Sequence, residues 1–337
     1  MPWSRVLSFT DPLPFQAAVQ AGEVEILPTA RGSFHIGMTQ IGIETVWMQR
    51  FHVALPQIST VVTAPDRKAI GFLLETSSSN LQYCGVEVAP NDIIVSSFDV
   101  LHQRSASGLH YGTMSVPVKD FPALCRTIIG REFRENAHTS IIRPDPALMS
   151  RLLKLHKTVG QLAHDTPDIL AQPEVGRALE ERLIHVMIRC LAEGASVEAS
   201  MAGLHHDKII ARFEEFLAAN SDRSLYLTEI CAAIGVAERT LRVCCEEHLG
   251  MGPIRFLTLR RMHLARRALL RADPLKSTVT RIATDHGFWE LGRFAVVYRT
   301  LFGESPSETL RRPVEQTASD LNRPSFLAAA RLSGRLN

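Results

Sequence analysis

The chain contains no apolar run of about 18 residues, the length a membrane-spanning helix needs. Its first residues, MPWSRVLSFTDPLPF, lack a basic start followed by an apolar stretch, so no secretory signal is expected there. The six cysteines, Cys84, Cys125, Cys190, Cys231, Cys244 and Cys245, make no C-x-x-C or other zinc spacing. They read as reduced thiols of a cytoplasmic protein, most of them small core hydrophobes. P-loop, dinucleotide G-x-G-x-x-G, G-x-S-x-G and H-E-x-x-H signatures are absent. His35, His52, His102 and His110 fall in a strand-rich region without an H-x-H pair, so neither a metal nor a cofactor is expected. An enzyme is the least supported class.

What is present is an ordinary globular composition, 45% hydrophobic and 21% charged over 337 residues. That length can build two or three cores. The net charge of +2 is unevenly spread. Residues 1–204 hold 17 Lys+Arg and 20 Asp+Glu, a balance of −3. Residues 255–312 hold 12 Lys+Arg and 5 Asp+Glu, a balance of +7. A local basic excess suggests an anionic partner, with a solvated helix face as the plain alternative.

Residues 24 to about 118 read as short strands. FHIGMTQIGIETVWMQRFHVAL, AIGFLLE, LQYCGVEVA, DIIVSS and YGTMSVPV are separated by turn chemistry such as APDR and APND. This spacing suggests a small antiparallel barrel or sandwich. From about 119 the apolar period becomes helical. Val175, Leu179, Leu183, Val186 and Cys190 form one stripe, which is expected to pack on its own chain or to form a dimer seam. Residues 193–207 read as a linker, and residues beyond 315 as a fraying tail.

An internal repeat carries the functional signal. Leu227, Thr228, Ile230 and Gly235 match Val279, Thr280, Ile282 and Gly287 at an offset of 52. Leu241, Leu249, Gly250, Pro253 and Leu257 match Phe294, Phe302, Gly303, Pro306 and Leu310 at an offset of 53. One residue is therefore inserted after the turn of the second copy. Each copy reads as a helix-turn-helix. Thr228 and Thr280 are expected to cap the first helices, Gly235 and Gly287 to end them, and Val236 and Phe288 to plug the corner. The second helices are expected over 237–249 and 289–302, the latter with Phe294, Val297 and Leu301 buried. The connector 253–273 reads as about 19 helical residues, a rod about 28 Å long at 1.5 Å per residue. Ile254, Leu257, Ala265 and Leu269 can face inward on it. Such a rod could set two reading helices near one DNA turn apart, about 34 Å.

LTEICAAIGVAERTL, IATDHGFWELGRFAVVYRTLFGESPSE and the Arg-rich connector resemble the C-terminal domain of the AraC/XylS family of bacterial transcription regulators. The resemblance implies an α+β chain: an N-terminal cupin-like antiparallel β-barrel with a helical extension, then an all-α domain with two helix-turn-helix motifs joined by a central helix. The expected divisions are 1–125 for the barrel, 126–204 for the extension and linker, 205–315 for the DNA-binding domain and 316–337 for the tail. The implied function is sequence-specific binding of double-stranded DNA as a transcriptional activator that contacts RNA polymerase. Candidate base contacts are Glu238, Arg239, Thr240 and Arg242 in the first copy and Trp289, Glu290, Gly292 and Arg293 in the second. Arg281 and Arg299 are candidate phosphate contacts. Val243 and Val296 stand where relatives often carry a polar or basic residue. For the N-terminal half two readings stay open, a small-molecule effector site or a homodimerising domain without ligand. Trp47, His52 and Cys84 are the candidate effector contacts.

Overall fold

The computed structural model describes residues 2–19, 22–75, 80–96, 100–133, 140–197, 201–220 and 225–312. The C-terminal tail expected over 316–337 lies outside the described residues. The chain opens with β1 (Trp3–Phe9), α1 (Pro12–Ala18), β2 (Gly22–Pro28), β3 (Ile36–Ile43), β4 (Val46–Val53), β5 (Gln57–Thr63) and β6 (Arg67–Leu73). Then come β7 (Leu81–Tyr83), β8 (Val86–Val88), β9 (Ile93–Val95), β10 (Val100–Ser105) and β11 (Leu109–Pro117). After these the chain turns helical: α2 (Phe121–Ile129), β12 (Ser140–Arg143), α3 (Pro146–Asp165), α4 (Pro167–Leu170), α5 (Pro173–Glu193) and β13 (Ala195–Val197). The remaining described elements are all helices: α6 (Met201–Ala219), α7 (Leu227–Ile234), α8 (Glu238–Leu249), α9 (Pro253–Arg271), α10 (Val279–Asp285), α11 (Leu291–Phe302) and α12 (Pro306–Leu310).

The strands form two antiparallel sheets. The larger runs β1-β3-β4-β11-β6-β9-β12-β13 and the smaller β2-β5-β10-β7-β8. Period-two alternation gives each strand two faces. Both faces of the larger sheet are covered. On one side Met48, Ile70, Phe72 and Met114 pack under α2, α3 and α5. On the other, Ile36, Met38, Val53 and Leu109 meet Ile26, Leu81 and Tyr83 of the smaller sheet. The α5 stripe is spent here: Leu183, Val186 and Cys190 are buried in the chain's own core, with Leu179 packed against it. Within residues 193–207, β13 pairs with β12 and α6 begins, so most of the expected linker is ordered structure. None of the six cysteines forms a disulfide.

The strands that the amino-acid pattern conceals are β1, β5 and β10. In β5, Gln57, Ser59, Thr60 and Thr63 are all buried. Polar residues on both faces hide the apolar–polar alternation that marks a half-buried strand. The reason is that both faces of β5 are largely covered: one lines a cavity and the other packs on the helical domain.

Candidate nucleic-acid interface

Each helix-turn-helix copy is built around its own apolar cluster. In the first, Ile230 and Ile234 of α7 meet Leu241, Cys244, Cys245 and Leu249 of α8. In the second, Ile282 and Ala283 of α10 meet Phe294 and Tyr298 of α11. Gly235 (φ 68°) and Gly287 (φ 78°) take the left-handed backbone at the two turns, a conformation costly for residues with a Cβ. Val236 and Phe288 pack against these clusters as corner plugs. Phe288, Phe294, Tyr298 and Phe302 stack in series, with centroids 4.8, 5.5 and 4.6 Å apart. The buried Tyr298 hydroxyl donates to Thr309 Oγ1 at 2.8 Å.

Several expected details shift. The caps are Tyr226 and Thr278, not Thr228 and Thr280; Thr278 accepts from Arg281 N, while Tyr226 makes no side-chain cap. Each helix starts one residue before the threonine that was assigned to cap it. Tyr298, not Val297, completes the stripe with Phe294, and Val297 is exposed. A four-residue step from Phe294 points more nearly inward than a three-residue one at 3.6 residues per turn. On α9, Phe256 is buried in place of Ile254, which is exposed.

The inserted residue has a clear location. Two residues separate Gly235 from the start of α8, and three separate Gly287 from the start of α11. Trp289 and Glu290 therefore precede α11, with Glu290 as its N-cap. At the offset of 53 the residue equivalent to Glu238 is Leu291, which the sequence reading passed over. Gly292 stands at the place of Arg239, and Arg293 at that of Thr240. The signal that could have found Leu291 is the 53-residue offset itself, carried through the helix start.

Most of the expected reading residues are exposed. Glu238, Arg239 and Arg242 project at the start of α8 and Thr240 is half-buried. Trp289 is 76% exposed, and Glu290, Gly292 and Arg293 are exposed beside it. Arg242 donates to Glu238 at 3.1 Å, Arg293 lies 3.9 Å from Glu290, and Arg281 lies 3.9 Å from Asp285. Arg281 and Arg299 are also on the surface. Val243 (40% exposed) and Val296 (67%) lie one turn further along the two helices.

Part of the basic excess is turned away from this surface. Arg266 of α9 pairs with Asp11 at 2.8 Å and Glu304 at 3.5 Å, and lies over the Phe302 ring. Arg261 lies over Phe288, and burial lowers the pKa of Arg260 despite nearby Glu25 and Glu214. These arginines tie α9 to its neighbours rather than to solvent.

The smaller sheet holds the first copy. Leu27 and Ile58 enter the cluster of Ile209, Ile210 and Phe213. Thr60 donates to Glu214 Oε2 at 3.4 Å, and His102 Nδ1 lies 3.3 Å from the same oxygen. A side chain at Gly250 would collide with Arg104. His263 Nε2 donates to Pro28 O at 3.2 Å. Burial pushes the imidazoles of His248 and His263 down to about 4, so both are neutral near pH 7.

Between the two sheets is a cavity of about 120 Å³. Its polar wall includes Gln49, Gln57, Ser59, Gln103, Tyr111 and Thr113. The residues expected to line an effector site sit elsewhere. Trp47 is stacked with Arg67, whose guanidinium lies 4.2 Å from its ring centroid. His52 is exposed near the end of β4 with its ring against that of His110, and Cys84 forms the β7–β8 turn with φ 47°. The sequence could not decide which face of β4 turned inward, because both carry apolar residues. Among the described residues no group of three or more metal-ligating side chains comes together, and no helix is long and apolar enough to cross a membrane.

A family model described as a helix-turn-helix domain matches residues 230–312. The chain is 36% identical over 186 residues to a probable thc operon regulatory protein of Rhodococcus erythropolis, covering 50% of this chain and 54% of that one. It is 30% identical over 131 residues to XylDLEGF operon transcriptional activator 2 of Pseudomonas putida, covering 39% of this chain and 83% of the relative. The chain belongs to the AraC/XylS family of transcriptional regulators. Among solved structures, the AraC-like transcriptional activator CuxR aligns over 77% of this family member and 94% of its own chain, at TM-score 0.39 and 13% identity. The match to the Rhodococcus erythropolis relative spans about half of that relative's length.

Proposed function

We propose that the chain is a sequence-specific double-stranded-DNA-binding transcriptional activator, and not an enzyme. Its two-sheet domain senses a small molecule. The observation that carries the reading is the duplicated helix-turn-helix, in which the N-terminal ends of both second helices are exposed while their opposite faces are buried. Helices of this kind enter the major groove by their N-terminal residues. The 19 residues of α9 make a rod of about 28 Å between the copies, close to one DNA turn. Glu238, Arg239, Thr240 and Arg242 then read bases in one groove, and Trp289, Glu290, Gly292 and Arg293 in the next. Arg281 and Arg299 hold phosphates, an attraction that weakens as salt rises. RNA polymerase is the further partner in the cytoplasm. The cavity between the sheets favours an effector over a ligand-free domain that only dimerises.

Selection of random duplex DNA with the purified chain, followed by mapping of the bound sites, tests the main reading. Two short motifs about one helical turn apart are expected. Failure to enrich any sequence at moderate salt overturns it.

A further inference from the structure

Resting on that reading of the two-sheet domain, we infer that the cavity takes an uncharged, single-ring molecule carrying a hydrogen-bond donor, and excludes carboxylates and amines of the same size. Three observations support this. First, none of the described residues lining the cavity is Asp, Glu, Lys, Arg or His. An ionised ligand would lose its hydration and meet no counter-ion. Second, the volume of about 120 Å³ approaches the about 150 Å³ of an apolar cavity known to take up benzene. Third, Gln57 is 95% buried in the wall: it donates Nε2 to Ser59 Oγ at 3.1 Å, and its Oε1 has no hydrogen-bond partner. A buried carbonyl left in this state gains most from a ligand that donates to it.

Tyr111 supplies the complementary group. Its side chain lies across Gly71, where a Cβ would overlap the phenolic oxygen, and it is hydrogen-bonded to Gln103. Burial raises its pKa, so it stays a neutral phenol rather than an anion that could pair with an amine. The wall thus presents amides and hydroxyls on one side and aliphatic and aromatic surface elsewhere.

The same site explains how occupancy could reach DNA. Gln57 and Ser59 line the cavity, while the intervening Ile58 and the next residue of that face, Thr60, pack on α6 of the first helix-turn-helix domain. Displacement of β5 by a ligand is therefore felt directly at the docked helix.

The test is a titration of the full chain at pH 7.5 with toluene, benzyl alcohol, benzamide, benzoate and benzylammonium, followed by thermal shift and calorimetry. Benzyl alcohol and benzamide are expected to bind about 30-fold or more tightly than the two ions, with toluene between. Gln57→Leu should lower benzyl alcohol affinity about tenfold, to the level of toluene, and leave toluene unchanged. Benzoate or benzylammonium binding as tightly as benzyl alcohol overturns the proposal, as does the absence of any binding by the uncharged rings. A folded Gln57→Leu chain that keeps full benzyl alcohol affinity overturns the role of its carbonyl; should that variant not fold, the charge series on the unaltered chain decides. DNA selection without ring compounds is scored separately. The expected charge series in a chain that enriches no DNA sequence upholds the ligand class and overturns the DNA reading.

Discussion

The two helix-turn-helix copies share one pattern but are held in place differently and expose different surfaces. The first leans on the smaller sheet through Leu27, Ile58, Thr60 and His102, and exposes charge: Glu238, Arg239 and Arg242. The second is held by an aromatic stack and by Arg266, and beside the charged Glu290 and Arg293 it exposes more apolar surface: Trp289, Leu291, Val296 and Val297. Hydrogen-bonding side chains distinguish bases by donor and acceptor pattern, whereas apolar ones meet the thymine methyl. On the proposed function, the first copy is thus suited to strict readout, and it is the copy docked on the two-sheet domain. The second is suited to a more tolerant grip beside it.

The largest effect that separates the copies is expected in their cores. Phe294→Ala removes a ring from the centre of the second cluster and should cost about 3–5 kcal/mol. Leu241→Ala at the equivalent place should cost about 2–5 kcal/mol. The two should also differ in reach. Hydrogen exchange should show Phe294→Ala loosening α10 to α12 alone, and Leu241→Ala loosening α6 and the contact with β10 as well. Equal spread from both variants would show that the docking of the first copy carries no coupling.

Acid should separate them next. His248 stands where the second copy has Leu301. It is packed near His102, His206, Asp207 and Glu247, and His263 is buried against Pro28. Both imidazoles have folded values near 4 against about 6.5 in the unfolded chain. Between those limits the unfolded chain binds protons that the folded chain does not, so stability is intact above pH 6.5 and falls toward pH 4. Each shift corresponds to roughly 3 kcal/mol at the acid end. Denaturant melts from pH 7 to 4.5, read by exchange in α8 and α11, should show α8 released first. His248→Leu should flatten that slope, and an unchanged slope would place the titration elsewhere.

How much of this was legible in the chain depends on how local the constraint is. The repeat, its glycine turns and the corner plugs are short-range features, and Gly235, Gly287, Val236 and Phe288 fall where the spacing puts them. The exposure of Glu238, Arg239 and Arg242 follows from the same periodicity. What stayed hidden depends on contacts distant in sequence. The polar strands β5 and β10 are buried because a cavity lies on one side and a helical domain on the other. No pattern along the chain announces that Arg266 will be paired with Asp11, 255 positions away. The identity of cavity-facing residues on β4 was open for the same reason, since both faces are apolar and only the partner sheet decides between them.

Arg239 and Gly292 occupy equivalent positions, so the next comparison exchanges them. Arg239→Ala should cost about 1–3 kcal/mol on the selected DNA and relax preference at one base pair. Gly292→Arg should add a base preference in the second groove without altering the first. Equal losses on specific and random duplexes for Arg239→Ala would reassign that arginine to a phosphate.

The smallest expected effect is at the inserted residue. Trp289 lies ahead of α11 and is 76% exposed, so its removal disturbs no core. Trp289→Ala should change stability by no more than about 0.5 kcal/mol, the range of ordinary surface substitutions. Binding should weaken by about 1 kcal/mol, on the scale of a lost apolar base contact. Because no charge is removed, the slope of affinity against salt should stay the same, in contrast to Arg299→Ala, which should lower it by about one unit. The contrast also separates two meanings of the insertion. If Trp289→Ala weakens only duplexes that carry thymine at the second motif, the extra residue adds an apolar reading contact that the first copy does not have. If it weakens all duplexes alike, the ring packs on the sugar–phosphate backbone, and the insertion serves to position α11 rather than to read.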